Sequence, residues 1–183
     1  MSRLDELLSL EEEIRQCRRC PLYRTRKNAV PGEGAAEPRI MFVGEAPGAS
    51  EDESGRPFVG RSGELLTELI VGLGLSRNEV FITSILKSRP PNNRSPNRAE
   101  IDACLPYLRR QFEILNPRIV VLLGNIAVSA VIGHWKVSEC HGRSYDTEGR
   151  IFFMTYHPAA ALRFPRIKET MNGDFKVLRS MLG

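Results

Sequence analysis

The sequence predicts an α/β fold of three layers (αβα), with helices on both faces of a central, mostly parallel four-stranded sheet. Three observations predict it. Short apolar runs alternate with longer amphipathic stretches along the chain, the pattern of βαβ units. After their first residue the runs RIMFVG and RIVVLLG are apolar, which marks strands covered on both faces. The chain has 183 residues, 42% hydrophobic and 26% charged, enough for one folded domain with its own core. Residues 1–183 are therefore read as a single domain, with an N-terminal segment, about 1–34, that carries a cysteine pair.

The elements follow in order. Leu4, Leu7, Leu8 and Ile14 form a helical stripe within residues 4–15. Residues 28–38 are rich in Gly, Pro and small residues and read as loop. Residues 39–44 form the first strand, followed by the long loop EAPGASEDESGRPFVG. Leu65, Leu66, Leu69 and Ile70 share one face of a helix over 62–74. Residues 79–86 form the second strand, followed by the Pro- and Asn-rich loop KSRPPNNRSP. A long helix covers 97–115, the third strand 118–124 and a further helix 125–134. Two shorter strands flank a turn at 146–149, and the end, from Phe164, is helical.

Composition excludes several classes. No apolar run approaches the ~20 residues of a membrane helix. The start, MSRLDELLSLEEEIRQC, is acidic and amphipathic, unlike a signal peptide. A soluble, cytoplasmic protein is expected. No 20–50-residue period repeats. The net charge of +4 favours a polyanionic partner only modestly, but 5 Lys stand against 21 Arg, and the planar guanidinium suits phosphates and base edges. The cysteines are Cys17, Cys20, Cys104 and Cys140. A C-x2-C pair without a secretory signal points to metal or redox chemistry rather than a disulfide framework.

In parallel sheets ligands bind beyond the carboxyl ends of the strands, so the loops after strands one, two and the last meet at one site. The first holds Glu45, Glu51, Asp52, Glu53, Arg56, Phe58 and Arg61 among five glycines. It lacks the Walker lysine and the dinucleotide glycine spacing, so no nucleotide cofactor is expected. The second holds Arg89, Asn92, Asn93 and Arg94 in a proline frame that suits phosphate and sugar contacts. The third carries His157 at a strand end, before Pro158.

Together these segments resemble the family-4 uracil-DNA glycosylases, the thermostable iron–sulfur class. The matching stretches are CRRCPLYRTRKNAVPGEG at 17–34, GEAPGASEDESGRPFVGRSGELL at 44–66, LKSRPPNNRSP at 86–96, VVLLG at 120–124 and YHPAAALR at 156–163. They cover nearly the whole chain in the family's order. The resemblance implies a DNA repair enzyme with a uracil-DNA glycosylase-like fold. Such an enzyme flips uracil out of DNA and hydrolyses its N-glycosidic bond, leaving an abasic site.

It also implies roles for residues. Phe58 stacks on the base. His157 donates to uracil O2 as charge develops. The next position, an aspartate in family-1 enzymes, is Ala46 here, so either Glu45 takes that role near the sugar or the DNA phosphates and substrate geometry do most of the work. Glu51 crowds uracil C5 against a thymine methyl. Gly48 and Ser84 line the pocket with Ala46. Arg61, Arg89 and Arg94 face DNA, and Leu162 with Arg163 fills the space left by the flipped base.

Two positions depart from the family pattern. Ser84 stands where the family usually has asparagine, whose amide offers both a donor and an acceptor to uracil. A serine hydroxyl leaves weaker activity, broader base preference or a water-completed contact open. The family holds a 4Fe–4S cluster through four cysteines; Cys17, Cys20 and Cys104 match three, and Ser88 stands at the fourth. Three thiolates with a serine alkoxide, an open iron or a three-iron cluster all remain open, with Cys140 the weaker substitute; a C-x2-C alone also suits zinc.

The expected partner is uracil-containing DNA, bound by a monomer. Two other readings stand beside the enzyme. One is a relative that binds uracil or single-stranded DNA with weak or altered base specificity. The other is a structural metal-cluster module of a repair assembly.

Overall fold

A computed structural model describes residues 2–147 and 149–183. The sheet has six strands in the order β1-β3-β2-β4-β6-β5. Its centre is parallel: β3 (Phe81–Ser84), β2 (Ile40–Gly44), β4 (Ile119–Leu123) and β6 (Arg150–Thr155). Met41 sits opposite Phe81 on one side and Val120 on the other, and Val120 opposite Phe152. These four are the expected parallel strands.

Two further strands correct the four-strand expectation. β1 (Glu33–Gly34) and β5 (Arg143–Thr147) add antiparallel edges to β3 and β6. Two residues carry no readable periodicity, so β1 is hidden inside a loop-like stretch. β5 is exposed over Arg143–Asp146, as suits an edge strand that must not recruit another chain. The turn expected at 146–149 includes Glu148, which lies outside the described residues.

Alternation along the strands sorts the core into two layers. Met41, Val43, Val120 and Leu122 face one side, with Leu7 of α1 (Arg3–Arg15) and Leu108 and Phe112 of α4 (Arg98–Leu115). Ile40, Phe42, Val121 and Leu123 face the other. There they meet Leu66 and Ile70 of α3 (Arg61–Gly72) and Met171 and Phe175 of α8 (Pro165–Leu182). Phe42 and Phe175 stack with centroids 6.2 Å apart.

The helix starts are written in the sequence. Ser2 Oγ accepts the Asp5 N–H, and Asp5 Oδ2 accepts the Ser2 N–H, closing a capping box on α1. Asn97 and Glu100 do the same for α4. Shorter helices occupy the loops: α2 (Ala49–Ser54), α5 (Asn125–Val131), α6 (Val137–Cys140) and α7 (Pro158–Arg163). No described helix is long and apolar enough to cross a membrane. Because the central strands are parallel, Gly44, Ser84, Leu123 and Thr155 all end at one edge of the sheet.

Candidate active site and cysteine corner

A cavity of about 380 Å³ opens at that edge. All seven residues expected around the base line it: Glu45, Ala46, Gly48, Glu51, Phe58, Ser84 and His157. Arg94 and Asn93 of the proline-framed loop join them, together with Val30 and Pro47, which the sequence did not single out.

His157 caps the N-terminus of α7. Its Nδ1 accepts the Ala159 N–H at 3.1 Å. In a neutral imidazole the proton therefore sits on Nε2. Burial pushes the His157 pKa down to about 4, against the pull of the nearby Glu51 carboxylate. The ring is thus an uncharged donor at neutral pH. Gly124 makes room for it, since a Cβ there would lie 3.0 Å from His157 Cβ.

Phe58 stacks against His157, with centroids 5.6 Å apart and planes 27° apart. Its backbone is left-handed, at φ 50°, a conformation costly for a bulky aromatic residue. Two glycines admit it. A Cβ on Gly63 would lie 1.9 Å from the Phe58 carbonyl oxygen, and one on Gly44 would lie 2.5 Å from Phe58 Cζ.

Glu51 has its carboxylate committed to the backbone. Oε1 accepts the N–H groups of Val59 (3.0 Å) and Gly60 (3.1 Å), and Oε2 that of Gly48 (3.1 Å). It lines the cavity while tying the loop together. Glu45 is the opposite case. Among the described residues its carboxylate has no hydrogen-bond partner, and burial raises its pKa above the ordinary carboxylate value.

Ser84 ends β3 opposite Gly44. It is 7% exposed, and its hydroxyl has no protein partner among the described residues. Its carbonyl accepts Lys87 Nζ at 2.8 Å. Lys87 is fully buried and also donates to Thr83 Oγ1 and to Gln111 Oε1 at 2.8 Å. Burial pushes its pKa down to about 7, while these acceptors favour the ammonium. Gln111 Nε2 and Thr83 Oγ1 both donate to the Pro31 carbonyl, so the network fastens residues 30–31 beside the cavity.

The basic residues divide. Arg94 forms a two-pronged ion pair with buried Glu100, at 2.6 and 3.0 Å. Arg89 donates to Asn93 Oδ1 at 2.7 Å. Arg61 at the start of α3 and Arg163 at the end of α7 are exposed. Leu162 is 41% exposed, and Phe164, which the sequence reading passed over, is 55% exposed.

The family-model comparison matches residues 31–177 to the description "Uracil DNA glycosylase superfamily". The chain belongs to that superfamily. It is 49% identical to the type-4 uracil-DNA glycosylase of Pyrobaculum aerophilum, over 92% of this chain and 91% of that one. It is 46% identical to that of Sulfurisphaera tokodaii, over 97% and 86%. With that of Saccharolobus solfataricus it shares 45% identity, over 98% and 88%.

An iron–sulfur group needs thiolate ligands, and three thiols are at hand. Cys17, Cys20 and Cys104 lie within electrostatic reach of one another. The fourth corner differs. Ser88 is buried, and its Oγ accepts Arg26 Nη1 at 2.9 Å, while Arg26 Nη2 reaches the Arg15 carbonyl at 2.9 Å. Cys140 is buried in α6, with Glu139 and Arg143 as its charged neighbours. Among the described residues no three Cys, His, Asp or Glu side chains are grouped tightly enough to hold an ion as they stand. The three matching thiols are therefore neighbours rather than an assembled ligand set, and Ser88 at the fourth position is held by Arg26.

Proposed function

We propose that this protein is a uracil-DNA glycosylase, a hydrolase that removes uracil from DNA and leaves an abasic site. The observation that carries the reading is the pairing of a neutral, Nε2-protonated His157 with an unpartnered Glu45 carboxylate in one cavity. The comparisons support the same reaction class.

Breaking the N-glycosidic bond leaves negative charge on the base and positive character on the sugar. Phe58 gives the flipped base an apolar face. His157 Nε2–H donates to the base O2, and a neutral donor preorganised by the Ala159 N–H stabilises that charge without giving up its proton. Glu45 lies on the sugar side, where its carboxylate steadies the cationic sugar and takes a proton from the attacking water. Ser84 offers one rotatable hydroxyl to the base edge, as donor or acceptor. Glu51 acts through the loop it ties and by crowding the base. Arg61, Arg163 and Arg89 meet phosphates, with Leu162 and Phe164 as apolar wedge; Arg94 acts first through Glu100 and reaches the cavity wall second.

In this reading Cys17, Cys20 and Cys104 would hold an iron–sulfur cluster, while Ser88 is engaged by Arg26. Bound by these thiolates, a cluster would cross-link the N-terminal segment to α4. The catalytic steps belong to the cavity residues alone.

The test is a labelled duplex with one U opposite G, incubated with stoichiometric protein and then treated with alkali. Strand breakage at the U is expected. An intact strand overturns the enzymatic reading and favours a binding-only relative.

A further inference from the structure

Phe58 is held from both sides by groups distant in sequence. The two peptide units flanking it set its φ and ψ. The Pro57 carbonyl accepts Arg77 Nη2 at 2.7 Å, and the Phe58 carbonyl accepts Arg77 Nη1 at 3.0 Å. The N–H end of the unit between Phe58 and Val59 donates to Glu51 at 3.0 Å. That unit therefore lies with its negative end on a cation and its positive end on an anion. The guanidinium is itself fixed: Nη2 donates to Glu33 Oε1 at 2.7 Å and Nη1 to Thr67 Oγ1 at 3.3 Å. Only 18% of the Arg77 side chain is exposed. Glu33 is also held by Arg56 Nε, at 2.8 Å. The two arginines keep the Glu33 carboxyl below its usual range although burial opposes them.

We propose that Arg77 is a positioning residue for base excision: it clamps the two carbonyls around Phe58 in the left-handed conformation that turns the ring towards His157 and the base. The argument is geometric. A left-handed aromatic persists only where its surroundings over-determine it. Here the planar fork of one guanidinium grips two successive carbonyls, a match that a lysine ammonium cannot make. Glu33, on the edge strand β1, orients that fork from outside the cavity. Arg77 touches no substrate and acts through Phe58. The proposal rests on the glycosylase reading given above.

The test is a double-mutant cycle on the single-turnover rate of uracil release, run below the melting temperature of every variant. Arg77→Ala is expected to slow release by ~10- to 100-fold, the scale for misplacing a group at the reaction centre by about 1 Å. The loss should appear in kcat, with KM for DNA little changed. Phe58→Ala should show a similar loss, and the double variant should be no slower than Phe58→Ala within about twofold, because residues that act as a unit are not additive. Glu33→Gln, which keeps the shape and removes the charge, should slow release in the same direction by less. Arg77→Lys should recover only part of the rate. If the losses multiply in the double variant, or if Arg77→Ala melts earlier yet releases uracil at the parent rate, Arg77 is merely structural and the proposal fails. If the unaltered protein releases no uracil, the glycosylase reading itself has failed.

Discussion

The base cavity and the cysteine corner each carry a serine, Ser84 and Ser88, at the two positions that the sequence sets apart from the pattern it resembles. Ser84 and Ser88 stand four residues apart and bracket the buried Lys87. Their surroundings give them opposite meanings. Ser84 Oγ has no partner among the described residues and lies against the cavity beside Phe58 and Gly44. It stays available to a ligand. Ser88 Oγ accepts Arg26, a cation that also reaches across to the Arg15 carbonyl. Its corner is closed from within the protein. The contrast teaches that a lost ligand is judged by what its replacement touches. At the cavity the serine leaves a free hydroxyl facing the open space; at the cysteine corner the hydroxyl is engaged in an internal bond to Arg26.

The largest expected effect tests the cavity side. His157→Ala should lower single-turnover uracil release by ~10²- to 10³-fold, the scale for losing a preorganised donor to developing charge. An unchanged rate would remove His157 from the mechanism.

The pH profile comes next, and its sign follows from the two groups. Glu45 acts ionised, so the rate is full above its raised pKa and falls as pH drops through it. His157 acts neutral, so a second fall follows only near pH 4. Glu45→Gln should lower the rate by ~10²-fold or more and erase the upper of the two falls. A rate that climbs on acidification would mean that a cationic imidazole is the active form.

The serines sharpen the comparison with smaller effects. Ser84→Asn should raise uracil release by about two- to tenfold, the worth of one added hydrogen bond. A slower variant would mean that the cavity is tuned around the hydroxyl. Ser88→Cys should raise iron and sulfide retained through purification, with uracil release nearly unchanged. Equal metal content in the two proteins would show that the Arg26–Ser88 corner costs the site nothing. Cys104→Ala should lose bound metal and lower the melting temperature; a variant that keeps both would remove Cys104 from the ligand set.

The same contrast explains what the sequence made legible. The central strands β2 and β4 were readable because their apolar runs, IMFV and IVVLL, have one stable use, a sheet covered on both faces; β3 and β6 carry shorter apolar runs, VFI and IFFM. Of the two edges, β5 was readable as the first of the two shorter strands around 146–149, whereas β1, only two residues long, was not. The cavity walls were readable because parallel topology sends Glu45, Phe58, Ser84 and His157 to one end of the sheet. The clamps that fix them were hidden. Arg77 lies nineteen residues from Phe58, Arg26 sixty-two from Ser88 and Gln111 eighty from Pro31, and no local pattern marks such pairs. Arg94 looked like a phosphate contact because the sequence does not display its bond to Glu100.

The most direct measurement is a crystal structure of the Glu45→Gln variant bound to uracil-containing DNA. The account predicts the uracil turned out of the helix into the cavity at the strand ends, with its face on Phe58, O2 at His157 Nε2 and its far edge at Ser84 Oγ. A base seated elsewhere, or His157 with Nε2 turned away from it, would contradict the account.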